Sequence, residues 1–422
     1  MPRGSPFRHR DFRLLLLGQI TSQLGTQVSS VAIPLLAVVT LQASPLQLGL
    51  VTASGTIAFA LIGLPAGAWV DRWRRRPILI TSDLVRAGLL TTIPLAALLG
   101  NLTIAQLVLV SLLTGIARVF FDVGYQSYIP SVTGKGDVLA GNSAMETVRA
   151  LGQAAGPGLG GWSVTLWGAA NVVLIQSAAF VASAASLLAI RTREPDAVRP
   201  PRQTRLAAEI EEGLVFVART RVLRATALTS TACNSSFAMA SAVSFIFMVR
   251  EIGLSAAAVG IVLSLGALTA MLGAALTPRL ARRVGSARIV WLSLAVTGPV
   301  TLLGPLAQPG GLAGLIVLGT AAGELGQIIY AITNVSLRQR LCPERMLGRT
   351  NATMRFLMMG LFPLGALLGG ALGELIGLRP TLCLASMIIV LSPLPVCTAL
   401  RTVRDVEDIP PWRLPCDRSP FG

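Results

Sequence analysis

Residues 46–99 read LQLGLVTASGTIAFALIGLPAGAWVDRWRRRPILITSDLVRAGLLTTIPLAALL. Two apolar runs flank a turn that carries Asp71, Arg72, Arg74, Arg75 and Arg76. A transmembrane helix needs about 20 mostly apolar residues, and each run supplies them. The unit repeats outward in both directions, giving about twelve such segments along the chain. The predicted spans are 14–39, 46–70, 78–99, 103–125, 138–161 and 167–189, then 222–248, 256–276, 287–307, 311–333, 348–372 and 378–400.

Composition agrees with this reading. Of 422 residues, 53% are hydrophobic and 13% charged, and the mean hydropathy is +0.69. A soluble chain of this length would need far more polar surface. The fold expected is an all-α polytopic membrane protein with twelve transmembrane helices in two six-helix bundles. The net charge of +16 raises the question of nucleic acid, but the placement of the charge answers it. Basic residues precede the first span and follow the second, fourth, sixth, eighth, tenth and twelfth. The intervening connections hold only Arg250 and Arg379. That alternation is the positive-inside pattern and places both termini in the cytoplasm. A DNA-binding stripe would not skip every other loop, so no nucleic-acid partner is expected.

The first apolar run is long enough to span and lacks a cleavage site, so it is expected to be a retained helix. Cys233, Cys342, Cys383, Cys397 and Cys416 have no framework spacing, and His9 is the single histidine. Neither a disulfide scaffold nor a metal or cofactor is expected.

Four parts are expected: a six-helix bundle over 1–189, a linker over 190–221, a second bundle over 222–400 and a cytoplasmic tail over 401–422. In the linker, Leu206, Ile210, Leu214, Val215 and Val217 alternate with Glu209, Glu211 and Glu212, which predicts a short amphipathic surface helix. The two halves look related. Asn142, Met145, Gly156, Gly160 and Gly161 recur at a constant separation as Asn351, Met354, Gly365, Gly369 and Gly370. Internal repeats of this size are how secondary transporters build two rocking bundles.

Chemistry has few places to sit. In the turn after Gly67, Asp71 can form a latch with the other half or an inert surface pair. The fifth span holds Gly152, Gly156, Pro157, Gly158, Gly160 and Gly161. This run is either a tight helix interface or a bending, water-excluding seam between bundles. Asp83 with Arg86, Arg118 with Asp122, and Glu146 with Arg149 are spaced to pair on one helix face, for structure or for proton coupling. Arg355 is the second half's candidate for a matching charge.

Glu324 has no basic residue within a helical turn. An ionised carboxylate there is costly in hydrocarbon, which makes it a protonation site, a recognition residue or half of a distant pair. Gln19, Gln23, Thr26, Gln27 and Asn234 should not face lipid and are expected to line a central cavity. Phe237 adds apolar surface there or simply packs. Such a lining suits a small amphiphilic solute.

These motifs carry a resemblance. Gly67 to Arg76 resembles the signature between the second and third helices of the major facilitator superfamily. Gly152 to Gly161 is similar to the fifth-helix signature of its drug:proton antiporters. The opening Phe12-Arg13 to Gly25, with Asp83-Leu-Val-Arg86, resembles the branch of macrolide efflux proteins and siderophore exporters. The resemblance implies a monomeric bacterial inner-membrane exporter that exchanges a small, largely apolar solute for protons, in contact with membrane lipid. It assigns Asp71 to the interdomain contact, supported by Arg72, Arg75 and Arg76, and Arg118 to proton coupling. Two positions depart from the pattern. Thr26 stands where many relatives have an aspartate, which shifts weight to Glu324. Thr277 replaces the acid of the second-half signature, making the latch asymmetric.

Other readings are an importer or symporter of a small metabolite, a carrier of lipid-linked solutes, and a non-transporting receptor or scaffold. No catalytic constellation and no Walker-type loop is present, so neither an enzyme nor ATP-driven pumping is expected.

Overall fold

A computed structural model describes residues 9–70, 73–133, 138–192 and 206–409. Its first half consists of α1 (Arg10–Leu35), α2 (Pro45–Val70), α3 (Arg75–Leu98), α4 (Ile104–Thr133), α5 (Val138–Trp167) and α6 (Ala169–Leu188). A linker helix, α7 (Leu206–Arg219), leads to α8 (Arg221–Ile246), α9 (Ala256–Val284), α10 (Arg288–Thr301) and α11 (Gly314–Leu341). The chain continues as α12 (Glu344–Gly360), α13 (Phe362–Leu375), α14 (Leu378–Leu391) and α15 (Leu394–Leu400). No strand occurs among the described residues. Helices suit hydrocarbon because each satisfies its backbone donors and acceptors within its own segment.

Among the described residues, eleven helical stretches are long and apolar enough to cross a membrane. The expected fifth span is not one of them. Helix α5 runs for 30 residues, but Asn142, Glu146, Arg149, Gln153 and its glycines dilute its apolar content. It is held by packing against α1 and α9 instead. The eleventh and twelfth spans also depart from expectation, since neither is one continuous helix. The eleventh breaks at Leu361 ahead of Pro363, and the twelfth at Ser392 and Pro393. A proline lacks the N–H that continues a helix, and its ring clashes with the preceding turn.

The linker helix forms where the amphipathic pattern places it. Phe216 and Val217 are buried with Leu223, Met346 and Met354, while Leu214 and Val215 remain exposed. Glu212 pairs with Arg349 at the start of the eleventh span. Through these contacts α7 packs on the second half, on α8 and α12.

The repeat is visible in the backbone. The five-residue π-helical turn Leu36–Thr40 after α1 has its counterpart in Phe247–Glu251 after α8. Gly168 (φ 78°) and Gly377 (φ 94°) start the sixth and twelfth spans in the same left-handed turn, which a side chain would strain. Gln42 adopts φ 51° where the second half has Gly253 at φ 77°.

The two basic residues outside the positive-inside pattern are both engaged. Arg250 donates to the Val38 carbonyl at 3.1 Å. Arg379 pairs with Glu251 at 3.0 Å and donates to the Pro305 carbonyl at 2.9 Å.

Candidate transport site and the closure between the halves

The glycines of α5 divide between two neighbours. Gly152, Gly156 and Gly160 lie on α1. A Cβ on Gly152 would touch Gln27 and Gln23 at 3.7 and 3.8 Å, and one on Gly160 would meet the Val28 backbone. Gly158 and Gly161 turn to α9 in the other half. The Gly158 amide donates to Ser264 Oγ at 2.8 Å. A Cβ on Gly161 would lie 2.9 Å from Gly260 Cα, and one on Gly260 would meet the Pro157 carbonyl at 2.5 Å. The run is therefore an interface within one half and a crossing between halves at once.

The repeat makes the same crossing a second time. Gly365 and Gly369 pack on Ser235, Ala238 and Met239 of α8, as Gly156 and Gly160 pack on α1. Gly370 meets Pro45 and Leu46 of α2, and Gly49 meets the Ala366 carbonyl at 2.7 Å. One element is not repeated. The position of Ser264 is occupied by Ala53, which is buried with Ala238, Ala242 and Ala366. The α5–α9 crossing thus carries a hydrogen bond where the α2–α13 crossing is apolar.

Both crossings lie at the Arg-poor ends of their helices. Towards the Arg-rich ends the same faces open. On α5, Pro157 and Gly161 are buried, while Gln153 and Glu146 along the same stripe are exposed. In the eleventh span, Ala366 and Gly370 are buried, while Arg355 and Asn351 are exposed. The halves touch at one end and diverge towards the other, leaving a cleft between them. At mid-depth Arg355 sits over the Phe59 ring, 4.6 Å from its centroid.

Polar side chains expected in the cavity occupy distinct surroundings. Gln19 is buried, and its Oε1 accepts no hydrogen bond from any described residue. Gln23 and Gln27 face the α5 glycines. Thr26 donates its hydroxyl to the Ser22 carbonyl at 2.8 Å, so its proton serves its own helix. Asn234 donates to the Ser230 carbonyl at 2.9 Å. Phe237 is 55% exposed and tilts against Phe362, with ring centroids 6.2 Å apart.

The charges pair as their spacing predicts, in unlike settings. Asp83 and Arg86 are both buried and bonded to each other. The Arg86 guanidinium is sandwiched between Phe121 and Phe180, at 4.3 and 4.2 Å from the ring centroids. Cation–π contacts of this kind help offset lost hydration. Arg118 and Asp122 approach to 3.5 Å with side chains 62% and 40% exposed, and both are within electrostatic reach of Arg86. Arg149 donates from Nε to both carboxylate oxygens of Glu146, at 3.1 and 3.0 Å, on the cleft wall.

Removing one member of the buried pair tests its role. Arg86→Met should destabilise the protein by roughly 3–5 kcal/mol, because Asp83 is left as an uncompensated buried charge. Arg86→Met combined with Asp83→Asn should recover most of that loss. Thermal unfolding in detergent reads both, and a loss under 1 kcal/mol in the single variant would contradict the assignment.

Glu324 has neither an ion pair nor a hydrogen bond to any described residue. It is half-buried, with its Cγ 3.3 Å from where a Gly266 Cβ would stand. The repeat places Gly115 at the corresponding site of α4, where a Cβ would be 2.6 Å from the Gly55 carbonyl. The first half has a glycine–glycine contact at this site; the second has a carboxyl group beside a glycine.

Asp71 and Arg72 lie outside the described residues, and Gly67 falls within α2 near its end. Arg76 donates to the carbonyls of Leu187 and Leu188 at 3.0 and 2.8 Å, which caps the C-terminal end of α6. Arg75 is half-buried at the start of α3. Sequence reasoning missed Ser264, because a lone serine in an apolar span carries no signal until its partner helix is known. It also missed the link between Glu212 and Arg349 and the polar contacts among Ser230, Tyr330 and Asn334.

Comparison with known proteins agrees with this architecture. The multidrug efflux pump Tap of Mycolicibacterium fortuitum is 28% identical over 387 residues, covering 89% of this chain and 92% of that protein. Tap of Mycobacterium tuberculosis strain H37Rv is 26% identical over 404 residues, covering 93% and 92%. Among solved structures, the nucleoside transporter NupG superposes with a TM-score of 0.75 at 14% identity, covering 92% of this chain and 98% of its own. An inward-facing bacterial homologue of the iron transporter ferroportin gives 0.75 at 16% identity, covering 92% and 98%. The helices and these relatives make this a multi-pass protein of the bacterial inner membrane. With residues 15–363 matching the family across both halves, the chain belongs to the Major Facilitator Superfamily of transporters.

Proposed function

We propose that the chain is a secondary active exporter of a small amphiphilic drug or secondary metabolite, exchanged for protons by alternating access. The observation that carries this reading is the cleft between the halves, closed at the Arg-poor ends by two glycine crossings. A closure built from backbone contacts on two equivalent helix pairs can release and re-form as the halves rock. With the Arg-rich ends in the cytoplasm, this conformation faces inward, ready to load from the cytoplasm or the inner leaflet. The cleft offers amides, hydroxyls, exposed aromatic edges and locally paired charges. That surface favours an amphiphile over a multiply charged solute, and resemblance to multidrug efflux pumps along nearly the whole chain supports export.

Glu324 is the proton site of this reading, and the pairs Asp83–Arg86, Arg118–Asp122 and Glu146–Arg149 line or brace the first half. Purified protein in liposomes, offered a panel of lipophilic compounds with and without an imposed pH gradient, tests the proposal. Solute should move against its gradient only when protons flow the other way. Flux indifferent to the pH gradient for every transported compound would reject proton exchange.

A further inference from the structure

The interior of the second half holds polar groups that the cleft does not explain. Between α8 and α11, the Tyr330 hydroxyl lies 2.7 Å from Ser230 Oγ and donates to the Thr226 carbonyl at 3.0 Å. Asn334 Nδ2 donates to Ser230 Oγ at 3.1 Å. Tyr330 is 2% exposed and Asn334 4%. Three further atoms on α11 are screened from solvent with no hydrogen-bond partner among the described residues: Gln327 Oε1, Asn334 Oδ1 and Arg338 Nε. Leaving such an atom unsatisfied is costly, and buried water is the usual remedy where the site is polar.

The three atoms are aligned. At 100° per residue, Glu324, Gln327, Asn334 and Arg338 fall within a stripe about 80° wide, and the stripe is about 21 Å long. It runs from the middle of α11 to its Arg-rich end. Arg338 is within electrostatic reach of Tyr330, so the stripe and the Tyr330 cluster adjoin. The charged and titratable groups on the helices packed against α11 are Arg221, Arg224 and Cys233 of α8, Arg279, Arg282 and Arg283 of α9, and Arg288 of α10. The arginines stand at the Arg-rich ends, and Cys233 donates to Ser392 Oγ at 3.3 Å. No second acid on these helices faces the stripe among the described residues. The first half lacks the arrangement: Gly115 stands for Glu324, and Tyr125, at the position of Asn334, points its hydroxyl at the Met145 sulfur, 2.6 Å away.

We propose that ordered waters bridge Gln327, Asn334 and Arg338 into a proton path from Glu324 to the Arg-rich end of α11, apart from the cleft that carries the solute. The path rests on Glu324 being the proton site. A proton leaving its carboxyl group passes to the first water, each water hands one on as it accepts another, and the last is released at the Arg-rich end. Every O–H bond broken is replaced by one formed. Arg338 Nε donates to the outermost water and fixes its orientation.

Two measurements on the full-length protein test this. X-ray hydroxyl-radical footprinting labels side chains that touch bound water. Tyr330 should be labelled despite its burial, and at least fivefold less in Asn334→Leu. A Tyr330 that is unlabelled, or labelled equally in both, overturns the proposal. In liposomes, Asn334→Leu and Gln327→Leu should slow solute-driven proton movement at least tenfold, with solute affinity within twofold of the parent. Asn334→Ser, which keeps a hydrogen-bonding group, should restore most of the rate and guards against a folding defect. A parental rate in Asn334→Leu alongside loss in Glu324→Gln overturns the path alone. Parental rates in both overturn the proton role of Glu324 and the path together.

Discussion

Glu324→Gln is expected to abolish solute-driven proton movement while leaving solute binding within about threefold of the parent. Glutamine preserves the shape of the side chain and its capacity for hydrogen bonds, but it cannot take up or release a proton. The size of the effect follows from isolation. Glu324 has no cationic partner among the described residues, so no ion pair is lost and the fold should be little affected. The half-buried carboxyl group stands beside Gly266, which adds no side chain against its Cγ, and it has no partner among the described residues. That setting suits a group which alternates between charged and neutral forms as its surroundings change. Proton movement recorded with a trapped pH dye, alongside solute binding in detergent, separates the two functions. Unchanged proton movement would leave the paired acids of the first half to carry the coupling.

The second large effect belongs to the glycine crossings. Gly161→Leu and Gly370→Leu should each prevent closure of the Arg-poor ends, and the pair together should trap the opposite opening. Added at Gly161, a Cβ would meet Gly260 Cα at 2.9 Å; at Gly370 it would meet the Pro45 carbonyl at 2.7 Å and Leu46 Cα at 3.0 Å. These neighbours are backbone and cannot swing aside. Overpacking of this kind costs roughly 1–3 kcal/mol, or about 5- to 150-fold in the population of the closed form. Transport should fall at least tenfold. Spin labels across the Arg-poor ends of α5 and α9 should report a longer distance. Gly311→Ala is the control, because nothing lies within 4 Å of its Cβ position. A parental distance distribution in Gly161→Leu would show that the crossing is not what holds this end shut.

Much of this is legible in the sequence. The alternation of apolar runs with Arg-rich turns is enough to make a helical membrane chain, because hydrocarbon admits no other use of such segments. The spacing of Asp83 with Arg86, and of Glu146 with Arg149, sufficed to pair them, since residues three apart on a helix share a face. What pairing by spacing does not supply is depth. Both pairs look alike in sequence, yet one is sealed between Phe121 and Phe180 and the other stands on the cleft wall. Phe180 belongs to α6, nearly a hundred residues from Arg86 along the chain, and only packing brings them together.

The sequence alone decided that the chain crosses the membrane many times, that its halves repeat, and that Glu324 lacks a local partner. The first and last depend on local composition and spacing, and the repeat on the order of residues along the chain, so none of the three needs a tertiary contact to be read. Tertiary structure alone decided which glycines face their own half and which face the other. It also revealed that one crossing has the Ser264 hydrogen bond while its twin does not, and that unsatisfied polar atoms gather along α11. These properties belong to contacts between distant helices. A helix presents all its faces in sequence, and only its neighbours determine which of them meets a backbone, a cleft or lipid.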